Sequence, residues 1–298
     1  MCPLKSRLLG VGLAALSITC FASTFVCGGA LTKKYEISPL VLTFLRFLIA
    51  GFTMLAWEVR TVDGRQRLFH APTSRDWWLF ATLGPVGTSL MAWCVFSGCA
   101  RVSTANASMA DALAPLLMFA LAALNARRVT WVQTLGVLFG FLGALFVIGI
   151  IHAHGLALAA YTTGDLYVLG AAVTWAFYSV YGRETINRLG SASFTIWTML
   201  FGALTAACAL PWQPLVWPTT APGWGLVLLL SLGCTLVPFW AWNAAQKYIS
   251  VTALGVSAYF TPVVAVALAA LFLGEQATAL QWFGTALVCC SALVEWRK

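Results

Sequence analysis

Two ionisable residues, Asp111 and Arg46, lie inside stretches of sequence that are otherwise apolar. A charged side chain in hydrocarbon costs a few kcal/mol unless it is paired or hydrated, so each of the two needs a physical reason. In one interpretation Asp111 faces a central cavity and binds a substrate amino group or a proton. In the other, Asp111 and Arg46 neutralise one another and fix the packing of their helices. A lipid- or headgroup-facing arrangement is the third interpretation, and all three stay open at this point.

Asp111 belongs to a polar stripe on its predicted helix. Thr104, Ser108, Asp111 and Pro115 are spaced so that they share one helical face. Such a stripe on an apolar helix faces either a cavity, which would make Ser108 and Asp111 substrate-binding residues, or another helix. Pro115 also removes a backbone hydrogen bond near mid-membrane and predicts a kink, although ordinary packing prolines occur in membrane helices too.

A second set of candidates carries flat side chains or polar groups within the apolar segments. We predict that these residues line a cavity, because aromatic rings with a polar tip suit a flat aromatic substrate. The set comprises Trp93, Thr174, Trp175, Tyr178, Trp240, Asn243 and Tyr259. The alternative is an interfacial aromatic belt, which is normal in membrane proteins and accounts for Trp131, Trp212, Trp217 and Trp282.

The elements that must position these residues are membrane helices. The chain is 61% hydrophobic and 9% charged, whereas about a quarter of the residues of a soluble domain are charged. Apolar runs of about 20 residues, long enough to cross a hydrocarbon core of about 30 Å, recur with short polar gaps. We therefore predict an all-α polytopic membrane protein with ten transmembrane helices and no separate soluble domain. The predicted helices are 8–30, 38–57, 77–99, 103–125, 130–151, 165–187, 191–211, 223–246, 252–273 and 280–295.

The basic residues predict the orientation of these helices. In a ten-helix arrangement, 13 of the 17 Lys and Arg residues fall on one side, three fall on the other and Arg46 lies within a helix. Because cytoplasmic loops are enriched in basic residues, we predict a multi-pass protein of the bacterial inner membrane with both termini in the cytoplasm. The same placement explains the net charge of +8 without a nucleic-acid partner.

The chain contains an internal repeat at an offset of 147 residues. The repeat aligns Trp77 with Trp224, Thr88 with Thr235, Trp93 with Trp240 and Pro115 with Pro262, whereas Asp111 aligns with Ala258. Each half holds five predicted helices, an odd number, so the second repeat (163–298) is inverted relative to the first (1–152). Inverted repeats are the architecture of alternating access, with the substrate site near the midplane between the halves. Pro115 and Pro262 are the predicted kinks of this duplicated machinery.

Three segments resemble the ten-helix EamA-type exporters of the drug/metabolite transporter superfamily. They are "PLVLTFLRFLIAG" (39–51), "ALAPLLMFALAALNARRVTWVQTLGVLFGFLGALFVI" (112–148) and "YFTPVVAVALAALFLGEQATALQWFGTALV" (259–288). The resemblance covers essentially the whole chain and implies the export of small metabolites. The aromatic residues inside the helices and the small, neutral interior look most like the YddG-type aromatic amino-acid exporters, which implies an amino-acid substrate.

Several classes of function are disfavoured. The chain has no Walker-type glycine loop, its three histidines lie in predicted loops, and its cysteines lack metal-site spacing. A phosphorylated substrate would need more buried cations than Arg46 alone. We predict a secondary transporter without cofactor, metal or catalytic residues, whose partners are membrane lipid and a small neutral or zwitterionic substrate. The sequence does not distinguish proton antiport, uniport without a coupled ion, and exchange. A broad drug or metabolite exporter is the alternative within this class, and an intramembrane enzyme or lipid-handling protein is the alternative outside it.

Overall fold

A computed structural model describes residues 3–102, 109–126, 130–147, 151–152, 155–156, 163–261, 263–264 and 278–296. Within these ranges, ten main helical segments overlap the ten predicted ones. They are α1 (Pro3–Lys33), α2 (Pro39–Glu58), α3 (Ser74–Arg101), α4 (Met109–Ala126), α5 (Trp131–Val147), α6 (Thr163–Tyr181), α7 (Ser191–Ala209), α8 (Ala221–Ala245), α9 (Val251–Ala258) and α10 (Ala279–Trp296). The prediction of an all-α protein with ten transmembrane helices is confirmed.

Short elements connect some of these helices. A helix at Val62–Arg65 continues into a π-helical turn at Gln66–His70, and a second short helix spans Arg183–Leu189. A 3₁₀ turn at Leu210–Trp212 follows α7, and the two-residue strands β1 (Ile151–His152) and β2 (Gly155–Leu156) pair antiparallel after α5. These connections leave the helices as the elements that shape the interior.

The outer surface of the helices is apolar. Among the described residues, five helices are long and apolar enough to cross a membrane, namely Lys5–Lys33, Pro39–Glu58, Ser74–Arg101, Ser191–Trp212 and Ala221–Ala245. Large apolar side chains such as Phe52 and Leu229 are exposed on these helices, as contact with lipid requires. Trp131 and Trp212 are 84% and 80% exposed, which suits the interfacial belt proposed for them from the sequence.

The contacts between helices repeat from one half to the other. Helix α1 contacts α8 and α9, and its counterpart α6 contacts α3 and α4. Helices α2 and α7, α4 and α9, and α5 and α10 contact one another as equivalent pairs. The exchanged contacts of α1 and α6, and the contacts between equivalent helices, are those of two five-helix units related by a pseudo-twofold axis. Because each unit has an odd number of helices, the second unit is inverted.

One end of the helices carries most of the described basic residues, including Arg60, Arg75, Arg183 and Lys247; we call this the basic side and the opposite end the distal side. Two ion pairs join the repeats here. Arg188 contacts Asp76, whose side chain is 2% exposed, and Arg75 lies 3.4 Å from Glu184, with both side chains mostly exposed.

Helices α3 and α8 each contain a π-helical segment at the same place in the repeat. The segments are Pro85–Leu90 and Leu232–Leu236, and each contains one of the aligned threonines, Thr88 or Thr235. Thr88 Oγ1 donates to the carbonyl of Gly84 at 2.6 Å, and Thr235 Oγ1 donates to that of Leu230 at 2.6 Å. Each hydroxyl thereby bonds to a carbonyl of its own loosened helical turn.

Hydroxyl groups of α1 bond to backbone carbonyls of α8. Pro238 has no N–H, so it cannot donate to the carbonyl of Cys234 one turn earlier. Thr24 Oγ1 donates to this carbonyl at 3.1 Å, and Ser17 Oγ donates to the carbonyl of Pro238 at 2.9 Å. These bonds hold α1 against α8 and fix the side chains that both helices direct inward.

Candidate functional site: a cavity between the repeats

A cavity lies between the two repeats, bounded by α1, α2, α3, α4, α6, α8 and α9. Its lining residues are Ile18, Phe21, Thr24, Phe25, Arg46, Met91, Val95, Ala114, Ala171, Ala172, Trp175, Trp242, Ala258 and Thr261. The lining is mainly apolar, and among the described lining residues only Arg46 is charged. Such a cavity can hold a mostly apolar molecule with a localised charge.

Trp175 of α6 is the centre of the aromatic wall. Its ring stacks on Tyr178 at 5.4 Å with an interplanar angle of 15°, and meets Phe21 edge-on at 5.3 Å. Phe239 and Trp242 of α8 also lie 5.3 Å from it, so four rings hold the indole in place. Because these rings come from α1, α6 and α8, the wall spans both repeats.

A polar layer lies behind this wall, toward the basic side. Asn243 Nδ2 donates to the Tyr178 hydroxyl at 2.8 Å and to Thr195 Oγ1 at 2.9 Å. Tyr178 and Thr198 share a hydroxyl contact at 3.4 Å, and Gln246 Nε2 donates to Asn243 Oδ1 at 3.4 Å. Tyr178, Thr195, Thr198, Asn243 and Gln246 are all fully buried. The layer therefore joins α6, α7 and α8 between the cavity and the basic side.

The close approach of α3 to α6 fixes the position of Tyr178. A Cβ atom on Gly87 would lie 2.4 Å from Tyr178 Cβ, closer than two carbon atoms can approach without a bond. Glycine at position 87 therefore lets the two helices meet where the tyrosine packs. Trp242 Nε1 adds a hydrogen bond to Ser179 Oγ at 3.1 Å, which ties α8 to α6 at the same level.

Arg46 is 1% exposed and reaches the cavity from α2. Its Nε donates to Thr235 Oγ1 in the π-helical segment of α8, at 2.9 Å. The guanidinium carbon lies 5.0 Å from the Phe47 ring and 5.2 Å from the Phe96 ring. The charge is therefore stabilised by aromatic faces and one neutral acceptor among the residues for which the structure describes side chains.

The structure separates the residues predicted from the sequence into groups. Trp175 lines the cavity, and Tyr178 and Asn243 form the polar layer behind it. Thr174 is buried, and its hydroxyl donates to the carbonyls of Gly170 and Ala171 within its own helix. Thr174 therefore sits beside the cavity wall without being one of the lining residues.

Three predicted residues lie away from the cavity. Trp93 packs edge-on against Tyr167 at 5.2 Å, and Trp240 is 38% exposed on the outer surface of α8. Tyr259 is buried, and its hydroxyl donates to the carbonyl of Val137 at 3.2 Å, which joins α9 to α5. Trp93 is partly buried and Trp240 is exposed, and both lie on faces of α3 and α8 that point away from the cavity.

The remaining predicted residues are on or near α4 and α9. Pro115 is buried within α4, and a Cβ on Gly255 of α9 would lie 3.6 Å from Pro115 Cα, so α4 and α9 pack closely at this point. Ser108 and Pro262 lie outside the described residues. Asp111 belongs to α4, but its side chain lies outside what the structure describes, and so does its predicted pairing with Arg46.

Phe21 and Trp242 line the cavity and were not predicted from the sequence. Trp242 follows Trp240 by two residues, a rotation of about 200° on a helix, so the two side chains face opposite ways. Its repeat counterpart, Val95, also lines the cavity and follows Trp93 by two residues. Helical phase could have identified Trp242, whereas the apolar residues of α1 are spread around the helix and give no signal for Phe21.

Comparisons with known proteins agree with this architecture. The EamA-like transporter family matches the chain twice, at residues 8–149 and 162–295. A relative named aromatic amino acid exporter YddG, from Ancylobacter novellus, is 29% identical over 236 residues, which cover 78% of this chain and 79% of the relative. A relative from Streptantibioticus cattleyicolor, named probable terminal-alkyne amino-acid exporter, is 30% identical over 219 residues, 72% of each protein. A solved crystal structure covers 97% of this chain and 96% of its own, with a TM-score of 0.75 and 27% sequence identity.

These matches agree with the resemblance stated from the sequence and with its transport function. The two family matches fall on the two structural repeats and together cover most of the chain. The helices, the inverted repeat and the cavity between the halves are the parts that a membrane transporter needs. The chain therefore belongs to the EamA-like transporter family.

Proposed function

We propose that the protein exports amino acids, with a preference for aromatic ones, from the cytoplasm across the bacterial inner membrane. The observation that carries the proposal is the cavity wall formed by Phe21, Trp175 and Trp242, which offers flat apolar faces beside one cation. A zwitterion with an aromatic side chain matches both features. The names of the two exporter relatives, each an amino-acid exporter, support the same substrate class.

Alternating access is the proposed mechanism. The polar layer of Tyr178, Asn243 and Gln246 lies between the cavity and the basic side, which we assign to the cytoplasm on the basis of the charge distribution. Rotation of one repeat against the other would open this layer and close the distal side. We propose 1–152 and 163–298 as the two moving units; the family matches at 8–149 and 162–295 support this division.

The proposal is tested with purified protein in liposomes. Labelled phenylalanine and tryptophan are expected to cross protein-containing vesicles at least tenfold faster than empty vesicles, and alanine more slowly than either. The measurement is the initial rate of uptake under a substrate gradient. If both aromatic amino acids move no faster than in empty vesicles while other amphiphiles are transported, the protein is a broad metabolite exporter instead.

We also propose that Asp111 binds a coupling proton or the substrate amino group. Asp111 precedes the lining residue Ala114 by three residues, and its counterpart in the second repeat, Ala258, lines the cavity too. Asp111→Asn is expected to abolish the stimulation of transport by a pH gradient while substrate exchange continues, because the amide cannot exchange a proton. Exchange and net flux are measured in the same liposomes. Equal stimulation of the wild type and the variant would remove the coupling role.

A further inference from the structure

We infer that Arg46 binds the carboxylate of the transported amino acid. The inference rests on the proposed function and adds the group that recognises the polar end of the substrate. It differs from the pairing of Arg46 with Asp111, in which the carboxylate of Asp111 would neutralise the charge of Arg46.

Among the described residues, Arg46 makes its hydrogen bond through Nε. Thr235 Oγ1 donates its hydrogen to the carbonyl of Leu230 at 2.6 Å, so its lone pairs accept from Arg46 Nε at 2.9 Å. This bond fixes the plane of the guanidinium group. No acceptor within the described part of the chain is recorded for either Nη group. Two parallel N–H donors at the edge of a fixed plane are the geometry that binds a carboxylate in a bidentate manner.

The surroundings stabilise the cation without neutralising it. The guanidinium carbon lies 5.0, 5.2 and 6.0 Å from the rings of Phe47, Phe96 and Phe239, and these contacts use no hydrogen-bond donor. The acidic side chains that the structure describes are in loops or in the terminal turns of helices, away from the cavity; they are Glu36, Glu58, Asp63, Asp76, Asp165 and Glu184. A buried cation facing a cavity under these conditions favours an anionic group on the ligand.

The cation and the central ring of the aromatic wall both lie beside the ring of Phe239. Phe239 lies 6.0 Å from the guanidinium carbon of Arg46 and 5.3 Å from the Trp175 ring, so a single phenylalanine ring separates the two. Arg46 and Trp175 both line the cavity. A substrate that places its carboxylate at Arg46 can therefore reach Trp175 with its aromatic side chain.

The repeat supplies one such cation and not two. The offset of 147 residues aligns Arg46 with Ser193, whereas counting from the first residue of each helix aligns Arg46, the eighth residue of α2, with Thr198, the eighth residue of α7. Both candidates for the equivalent position are neutral. Arg46 contacts Thr235 in the π-helical segment of α8, and the carbonyl of Thr198 accepts from Thr88 in that of α3, at 3.2 Å. Since the equivalent position holds a neutral residue, the cavity binds the carboxylate in one orientation.

The test compares two ligands that differ in the carboxylate. Binding of phenylalanine and of phenylalaninol, which replaces the carboxylate with a hydroxymethyl group, is measured on the wild type, Arg46→Gln, Arg46→Lys and Arg101→Gln in detergent. The Arg46→Gln variant is expected to bind phenylalanine at least tenfold more weakly, with phenylalaninol affinity unchanged within about twofold, since a charge-assisted bidentate contact is lost for one ligand only. Arg46→Lys should recover part of the affinity for phenylalanine. Arg101, whose guanidinium also packs over a ring, at 4.9 Å from Tyr167, is outside the cavity and serves as the matched control.

Three outcomes separate the inference from its alternatives. Equal losses for both ligands in Arg46→Gln would assign Arg46 a structural role and overturn the inference. Recovery of both ligands in the Arg46→Gln, Asp111→Asn double variant would assign Arg46 to an internal ion pair and overturn it as well. A wild-type protein that binds neither ligand would overturn the proposed function, and the inference with it. Size-exclusion profiles identify variants that fail to fold. If Arg46→Gln fails to fold, the two ligands are compared on Arg46→Lys instead.

Discussion

Replacing Trp175 with alanine is expected to lower the rate of aromatic amino-acid export by roughly 100-fold at limiting substrate. The indole is the central ring of the wall and is held by Phe21, Tyr178, Phe239 and Trp242. The loss combines the apolar area that a substrate ring buries with the stacking energy, together about 3 kcal/mol, and about 1.4 kcal/mol corresponds to tenfold in affinity. The measurement is the initial rate of phenylalanine uptake into liposomes over a range of substrate concentrations.

Trp240→Ala is the matched control for Trp175→Ala. Trp240 is the same residue type, but it is 38% exposed on the outer face of α8 and makes no contact with the cavity. We expect it to retain transport within about twofold, because contacts with lipid are replaceable. Trp175→Phe should keep most of the activity, since it preserves a ring at the wall. Comparable losses in Trp175→Ala and Trp240→Ala would contradict a wall role for Trp175.

Asn243→Leu is expected to destabilise the protein by about 3 kcal/mol and to lower its unfolding midpoint by several degrees. Asn243 donates to Tyr178 and to Thr195, and it accepts from Gln246. Leucine has the same branching and the same number of side-chain heavy atoms but no polar atoms, so the buried groups of three partners lose a hydrogen bond without access to water. Thermal unfolding of the purified protein in detergent measures the effect.

Gln246→Leu is the control for the Asn243 prediction. Gln246 contributes one long hydrogen bond of 3.4 Å, and its Oε1 has no partner among the described residues. Removing this unpaired buried acceptor recovers a desolvation cost, so we expect Gln246→Leu to cost less than half as much as Asn243→Leu. A larger loss in Gln246→Leu would show that the order of importance in the polar layer is the reverse of the one argued here.

The overall fold was predictable because its signals are long. A run of about 20 apolar residues, and a repeat at an offset of 147 residues, can be recognised even when the predicted helix boundaries are wrong by several residues. The π-helical segments at Pro85–Leu90 and Leu232–Leu236 were not predictable, since they insert a residue into a helical turn without changing its composition. The aligned threonines Thr88 and Thr235 marked their positions but not their conformation.

The site was predictable only in part. Trp175 was identified because an aromatic residue deep in a helix is conspicuous, whereas Trp240 was selected by depth and by the repeat without regard to helical phase. Tyr178 and Asn243 were predicted to line the cavity, but neither is among its described lining residues, and both lie in the polar layer behind the wall. The hydrogen bond between Asn243 and Tyr178 depends on how α6 packs against α8, and the pattern of residues within one helix does not predict that packing.

Arg46 and Thr198 occupy corresponding positions of α2 and α7, and this difference between the repeats also constrains how such a protein can evolve. If two identical chains of five helices assembled antiparallel, an arginine at the eighth position of α2 would occur twice and bring two guanidinium groups to one cavity. Their repulsion in a medium of low dielectric constant would disfavour the assembly. A homodimer therefore cannot encode one arginine and one threonine at this position. Duplication within one gene removed that restriction, because each copy could then acquire its own substitutions.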